Sequence, residues 1–133
     1  MKKSSYLLSG LNSVPEMSSS EAQLYYEMGV VRLELQDYEG AIDDFTRALE
    51  LDPLNKWSYL HQGIAKMGIT DYAGALADIS QAIVINPVFS AAYYSRGLLK
   101  IELGQIDSGL LDLNKAGVLS DTKIFEGLNM SCN

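Results

Sequence analysis

One cysteine, Cys132, one histidine, His61, and one tryptophan, Trp57, are found in 133 residues. A single cysteine excludes a disulfide scaffold within the chain and leaves the redox compartment open. It is not fourth from the end, where a prenylation box needs it, and it reads as a small apolar residue of a terminal helix. One histidine and one cysteine cannot build a zinc site. A glycine-rich phosphate loop is also missing, so neither metal nor cofactor is expected. There is no basic stripe: Asp and Glu outnumber Lys and Arg by 17 to 10, for a net charge of −7. Nucleic acid and anionic membrane both recruit clustered cations, so neither is an expected partner. No apolar run approaches the roughly 18 residues that span a bilayer. Met1-Lys2-Lys3 followed by Tyr6-Leu7-Leu8-Ser9-Gly10-Leu11 is too short and too broken for the apolar core of a signal peptide. The expected compartment is therefore the cytoplasm rather than an exported one.

What is present is an ordinary globular composition, 47% hydrophobic and 20% charged, enough for one folded domain. The acidity sits in residues 22–55, with eight acids against two bases, and reads as a solvated face. Above all there is a repeat. Leu51-Asp52-Pro53 returns as Ile85-Asn86-Pro87. The same interval links Gly29, Gly63 and Gly97; Tyr25, Tyr59 and Tyr93; and Ala48, Ala82 and Ala116. Ala41 and Ala75 continue with Gly109, and Phe45, Ile79 and Leu113 hold one large apolar slot.

Within each unit the apolar spacing is helical. Leu24, Met28, Val31 and Leu35 fall at i, i+4, i+7 and i+11. A second run follows through Tyr38, Ala41, Ile42, Phe45, Ala48 and Leu49. Asp37 and Asp71 are placed as N-caps, and Ser20-x-x-Gln23 as a capping box. Pro53 and Pro87 stop helices because proline lacks the amide donor and clashes with the preceding turn. Gly29 and Ala41 are expected on facing helices, letting two backbones approach.

These motifs and their common period resemble the tetratricopeptide repeat, whose pattern is W-x2-L-G-x2-Y…A-x3-F…P. The first unit reads Tyr25-x2-Met28-Gly29-x2-Arg32…Ala41-x3-Phe45…Pro53. The second reads Tyr59-x2-Gln62-Gly63-x2-Lys66…Ala75-x3-Ile79…Pro87, and the third Tyr93-x2-Arg96-Gly97-x2-Lys100…Gly109-x3-Leu113…Asp121. Tyr replaces Trp, and Arg or Lys replaces the second Tyr. The resemblance implies an all-α, right-handed superhelix of three antiparallel helix-turn-helix units, at 22–55, 56–89 and 90–123. Residues 1–21 are expected to form an N-terminal arm or cap. With Asp121 where a proline would stand, residues 121–133 are expected to add a C-terminal capping helix carrying Ile124, Phe125 and Leu128, since a repeat stack needs capped ends.

The resemblance also implies a concave groove that holds a partner protein or peptide. One subtype of the family grips a C-terminal carboxylate of chaperones with Lys, Asn and Arg. The matching positions here are Tyr26, Val30, His61, Ala91 and Ser95, and none supplies the charge. The groove carried over onto this chain is apolar instead: Tyr26, Val30, Leu33, Trp57, Leu60, His61, Ile64, Met67, Tyr94, Leu98 and Ile101. Covering about 400 Å² of such surface is worth about 10 kcal/mol gross, before the cost of association. Three coverings compete: an amphipathic helix or apolar peptide from another protein, the chain's own segment from Tyr6 to Val14, or a second copy in a homodimer. An enzyme is not expected. Asp43 and Asp44 diverge around their helix, and His61 has no second catalytic group beside it in the sequence.

Overall fold

The computed structural model describes residues 20–132, with side chains through residue 120. The expectations for residues 1–19, and for the side chains of Ile124, Phe125, Leu128 and Cys132, lie outside the described residues. Among the described residues there are six helices and no strand: α1 (residues 20–34), α2 (Tyr38–Leu51), α3 (Lys56–Gly68), α4 (Tyr72–Ile85), α5 (Ser90–Glu102) and α6 (Ile106–Cys132). They form three hairpins, α1 with α2, α3 with α4 and α5 with α6. Each later hairpin stacks on its predecessor through α2 against α3 and α4 against α5.

Each hairpin turn uses the same backbone device. Gln36, Thr70 and Gly104, at one register position in the three units, all have left-handed φ, at 63°, 61° and 84°. The next amide then reaches back to close the first helix. Asp37 N–H donates to Arg32 O at 2.8 Å, Asp71 to Lys66 at 2.9 Å and Gln105 to Lys100 at 2.8 Å. Only the third turn spends a glycine on this conformation. Thr70, β-branched, holds it at a cost.

The second helices start where the sequence places them. The Asp37 carboxylate accepts from Gly40 N–H at 3.1 Å and Asp71 from Gly74 N–H at 3.0 Å. Helices α2 and α4 end at Leu51 and Ile85, just before the Pro53 and Pro87 turns. The capping box at Ser20 is not formed. Ser20 is already helical, and the Gln23 amide donates forward to Glu27 at 3.1 Å. The C-terminal stretch expected to be helical is helical through Cys132, joined without a break to the helix before it, because without a proline at 121 nothing interrupts the α6 backbone ladder.

The hairpins close on small residues. A Cβ on Gly63 would sit 3.0 Å from Ala75 O, and one on Gly97 would sit 2.8 Å from Gly109 O. In the first hairpin the space beside Gly29 is filled by the Phe45 ring, 2.6 Å from where a Cβ would be. Phe45, Ile79, Ala41, Ala75, Ala48 and Ala82 are fully buried. Truncating a ring such as Phe45 to Ala typically costs about 3–5 kcal/mol.

The same seam carries a charge pair in every unit. Arg32 Nε meets Asp44 Oδ2 at 2.8 Å, Lys66 Nζ meets Asp78 Oδ2 at 2.9 Å, and Lys100 Nζ meets Asp112 Oδ2 at 2.9 Å. The cations occupy the slot where the family pattern has its second Tyr, so that departure is a cross-hairpin ion pair. Asp44 is thereby only 7% exposed, which removes it from the solvated acidic face. Burial pushes the Asp78 carboxyl up and the Lys66 ammonium opposes the push.

Candidate functional site

The eleven carried-over groove residues lie on the first helix of each hairpin, but they do not share one environment. Trp57, Tyr94 and Leu98 are exposed, at 44%, 56% and 44%. Tyr26, Val30, Leu33, His61, Ile64, Met67 and Ile101 are half-buried. Tyr26, Val30 and Leu33 pack on the core of Ala41, Phe45 and Ala65, while Ile64 and Met67 pack on that of the second and third hairpins. Ile101 lies against Gly109, where a Cβ would meet its Cγ1 at 2.6 Å.

Leu60 is a correction. It is 3% exposed and belongs to the core with Ile79, Ile83, Phe89 and Ala92. Tyr26, Leu60 and Tyr94 hold the same register position in successive units, so the position alone does not decide exposure. Ala92 of α5 and Phe89 at its N-cap are in Leu60's cluster. Tyr94 belongs to the last hairpin and stays open to solvent. It lines a hollow of about 500 Å³ with Ser90, Ala91, Leu113, Ala116, Gly117 and Ser120.

An aromatic cluster ties the first two hairpins to the third. The His61 ring stacks on Trp57 and on Phe45, each at 6.0 Å between centroids, and meets Tyr26 edge-on at 5.6 Å. Trp57 turns its other contact to Phe89, edge-on at 4.8 Å. Such pairs add about 0.5–1.5 kcal/mol each beyond the area they bury. The sequence offered no sign of Phe89. Its counterpart in the preceding unit, Asn55, caps α3 by accepting from Trp57 and Ser58 N–H at 3.0 and 3.2 Å. Phe89 gives up the cap and is 6% exposed beneath Trp57.

His61 Nδ1 lies 3.0 Å from Trp57 O and 3.1 Å from Tyr26 Oη. A carbonyl only accepts, so Nδ1 carries the proton and shares it with the tyrosine oxygen. Burial lowers the His61 pKa below the ordinary histidine value, against a smaller opposing effect of the Trp57 carbonyl. The ring is a neutral, aromatic wall. Burial likewise raises the Tyr26 phenol, with Glu27 adding to it.

Glu27 and Glu34 of α1 and Glu102 of α5 lie on the same first helices and are exposed. The nearby cations are engaged elsewhere. Arg96 holds Asp112 with two hydrogen bonds at 2.7 and 2.9 Å, and Lys56 stands over the Phe89 ring at 5.3 Å. No group of three or more candidate metal ligands is found among the described residues. No described helix is long and apolar enough to cross a membrane.

Residues 22–55 match the tetratricopeptide repeat family model. No curated protein matches the chain. Solved structures do. The crystal structure of MamA superposes with a TM-score of 0.74 at 25% identity, over 80% of this chain and 62% of that one. This chain therefore spans less than two thirds of MamA. The second tetratricopeptide domain of Spaghetti (RPAP3), bound to the HSP90 peptide SRMEEVD, superposes at 0.75 with 24% identity, over 80% and 98% of the two chains. The second such domain of human RPAP3, in complex with the HSP70 peptide SGPTIEEVD, superposes at 0.69 with 26% identity, over 79% and 85%.

Proposed function

We propose that this chain, a tetratricopeptide-repeat protein of three units and so an interaction module, grips an amphipathic helix along its concave face. The observation that carries this reading is the aromatic cluster of Tyr26, His61 and Trp57, with Trp57 left 44% exposed. An indole held on two sides by rings and open on the third is pre-ordered, so a ligand that covers it recovers area at little further entropic cost. Leu98 and Tyr94 extend the apolar surface onto the third unit.

Charge decides between ligand classes. The RPAP3 domains are bound to peptides ending in Glu-Glu-Val-Asp. The eleven carried-over groove residues include no Lys or Arg, and Glu27, Glu34 and Glu102 stand near them on the same helices. An acidic tail entering this groove would lose its hydration with no cation to replace it. An apolar helix face flanked by Lys or Arg satisfies both the apolar floor and these glutamates. A second copy of the chain is the competing occupant.

Isothermal titration against a panel of amphipathic helical peptides with basic flanks tests the reading. Micromolar binding that weakens about 30-fold in Trp57→Ala, as expected for removal of an aromatic anchor, supports it. Binding indifferent to Trp57→Ala, or no binding at all, overturns it. Light scattering of the free protein identifies the competitor: a dimer that Trp57→Ala dissolves assigns the face to self-association.

A further inference from the structure

The stack carries a bare apolar face on its first helix and another on its last, and the two match. Leu24 and Val31 of α1 are 55% and 54% exposed, and Met28 between them is 37% exposed. The same register positions in the later units are covered. In α3 they are Ser58, Gln62 and Ala65, all buried, and in α5 Ala92 and Leu99 are fully buried with Arg96 half-buried between them. What covers them is the second helix of the preceding unit, α2 on α3 and α4 on α5. Gln62 Nε2 donates to Thr46 Oγ1 at 2.8 Å, and Arg96 Nη1 to Ser80 Oγ at 3.4 Å. The register of Leu35, by contrast, is exposed in all three units, as Leu35, Ile69 and Leu103. The bare face of α1 therefore has the form of a seat for a preceding second helix.

Helix α6 presents the counterpart. Leu110 stands at the register of Ile42 and Leu76, Leu113 at that of Phe45 and Ile79, and Asn114 at that of Thr46 and Ser80. In the first two units these slots face forward onto the next one. Ile42 packs in one core with Ala65 of α3, and Leu76 in another with Leu99 of α5. Ile42 and Leu76 are half-buried, and Phe45 and Ile79 are fully buried. In α6 the same slots open. Leu110 is 52% exposed and Leu113 half-buried, and Leu113 lines the hollow beside Tyr94. Helix α6 runs unbroken to Cys132, so the chain does not turn at Asp121 to lay a fourth first helix across this face.

We infer that copies of this chain join end to end, the α6 face of one seated on the α1 face of the next, with Leu110 and Leu113 covering Leu24, Met28 and Val31. The occupant is a second copy because the joint continues the two interfaces already inside the chain, in the same register and the same helix order. A repeat buries its faces only against neighbours, and one molecule carries both faces that a further neighbour needs. The joint sets one end of a copy on the other end of the next. It is heterologous, and because each unit advances the superhelix it extends into open chains rather than closing on itself. One helix on one helix is a small interface, below about 1,200 Å², so association is expected at about 100 μM. The joint does not use Trp57 or His61 and does not rest on what the concave face binds.

Light scattering of the full chain from about 10 μM to about 1 mM is expected to show a mass that rises past two copies without a plateau, in Trp57→Ala as in the unaltered chain. Val31→Glu and Leu110→Glu each replace an exposed side chain, so circular dichroism should be unchanged, and each is expected to weaken association about 100-fold. Mixed in equal amounts, the two are expected to pair and stop at two copies, because Val31→Glu keeps an intact α6 face and Leu110→Glu an intact α1 face. Disulfides read the register independently of added charge. With Cys132→Ser, a mixture of Met28→Cys and Asn114→Cys copies the Gln62–Thr46 contact and is expected to cross-link on mild oxidation. A mixture of Met28→Cys and Leu111→Cys, built on the slot of exposed Asp43, is expected to stay reduced. The inference is overturned by a mass that stops at two copies and falls to one in Trp57→Ala, which assigns self-association to the groove. It is equally overturned by a mixture of the two glutamate variants that stays monomeric, by equal cross-linking of both cysteine mixtures, or by a full chain that is monomeric throughout. In that last case slow thiol labelling of Met28→Cys would give the α1 face to residues 1–19 instead.

Discussion

The seam inside each hairpin and the concave face across the hairpins share the same three first helices and obey opposite rules. The seam repeats. Glycine faces a small residue, a large apolar side chain fills the same slot, and Arg32, Lys66 and Lys100 reach Asp44, Asp78 and Asp112 at 2.8, 2.9 and 2.9 Å. The concave face does not repeat. One register position is Trp57 in the second unit and Gln23 and Ala91 in the others, and another is His61 between Glu27 and Ser95. Positions that must satisfy the neighbouring backbone are held to one solution. Positions that face outward are free to differ, and in the proposed function they form the recognition surface.

Breaking the seam should cost stability, and breaking the face should cost binding. Among the charge pairs the largest effect is expected at Asp112, which takes both Arg96 and Lys100 at 2.7 and 2.9 Å. Asp112→Ala leaves two cations side by side without a partner, and chemical denaturation should register a loss of about 3 kcal/mol. Gly97→Ala comes next. The added methyl meets Gly109 O at 2.8 Å and Leu113 at 2.9 Å, and overpacking against backbone should cost about 1–3 kcal/mol. Thermal unfolding should fall by several degrees. Neither change touches the concave face, so correctly folded protein at low temperature should keep its peptide affinity. Loss of affinity without loss of fold would break the division.

The comparison can also be sharpened in the stabilising direction. Thr70 adopts the left-handed φ that Gly104 adopts in the third unit. Thr70→Gly should relieve that strain and raise stability by about 1 kcal/mol, measurable as a higher denaturant midpoint. The smallest effect is the pH response of the face. Burial depresses the His61 pKa in the folded chain, so below about pH 6.5 the unfolded chain binds the proton more readily than the folded one. That contribution is intact above this pH and is lost as pH falls. His61→Gln should flatten the upper part of the stability profile, leaving the carboxylate step of Asp37 and Asp112, both depressed below the ordinary range.

How much of this was legible in the sequence follows the same division. Helix stops at Pro53 and Pro87 and caps at Asp37 and Asp71 depend on atoms close by in the chain, and they read directly. The Arg32–Asp44 pair recurs in the sequence as opposite charges once per unit, but comparison with the family pattern showed only that a tyrosine was missing. Leu60 could not be placed. Its burial requires the third hairpin to arrive, and nothing within the second unit reports that. Phe89 escaped for a related reason, because an aromatic in a capping slot makes sense only once Trp57 is seen above it. The capping box at Ser20 failed because Ser20 is itself helical rather than the residue outside the helix. The run-on after Asp121 was foreseen, but as a second helix rather than a continuation of α6, since nothing in 121–131 marks a break and nothing marks a new start.

The concave face carries the central claim, and Trp57, the only tryptophan of the chain, reports on it without a label. Its emission should be followed during titration with a basic amphipathic helical peptide and, separately, with an acidic peptide ending in Glu-Glu-Val-Asp. The account predicts a saturable blue shift with the first and none with the second, because covering the indole removes it from water while the nearby glutamates turn the acidic tail away. A blue shift with the acidic peptide alone, or no change with either, would contradict it.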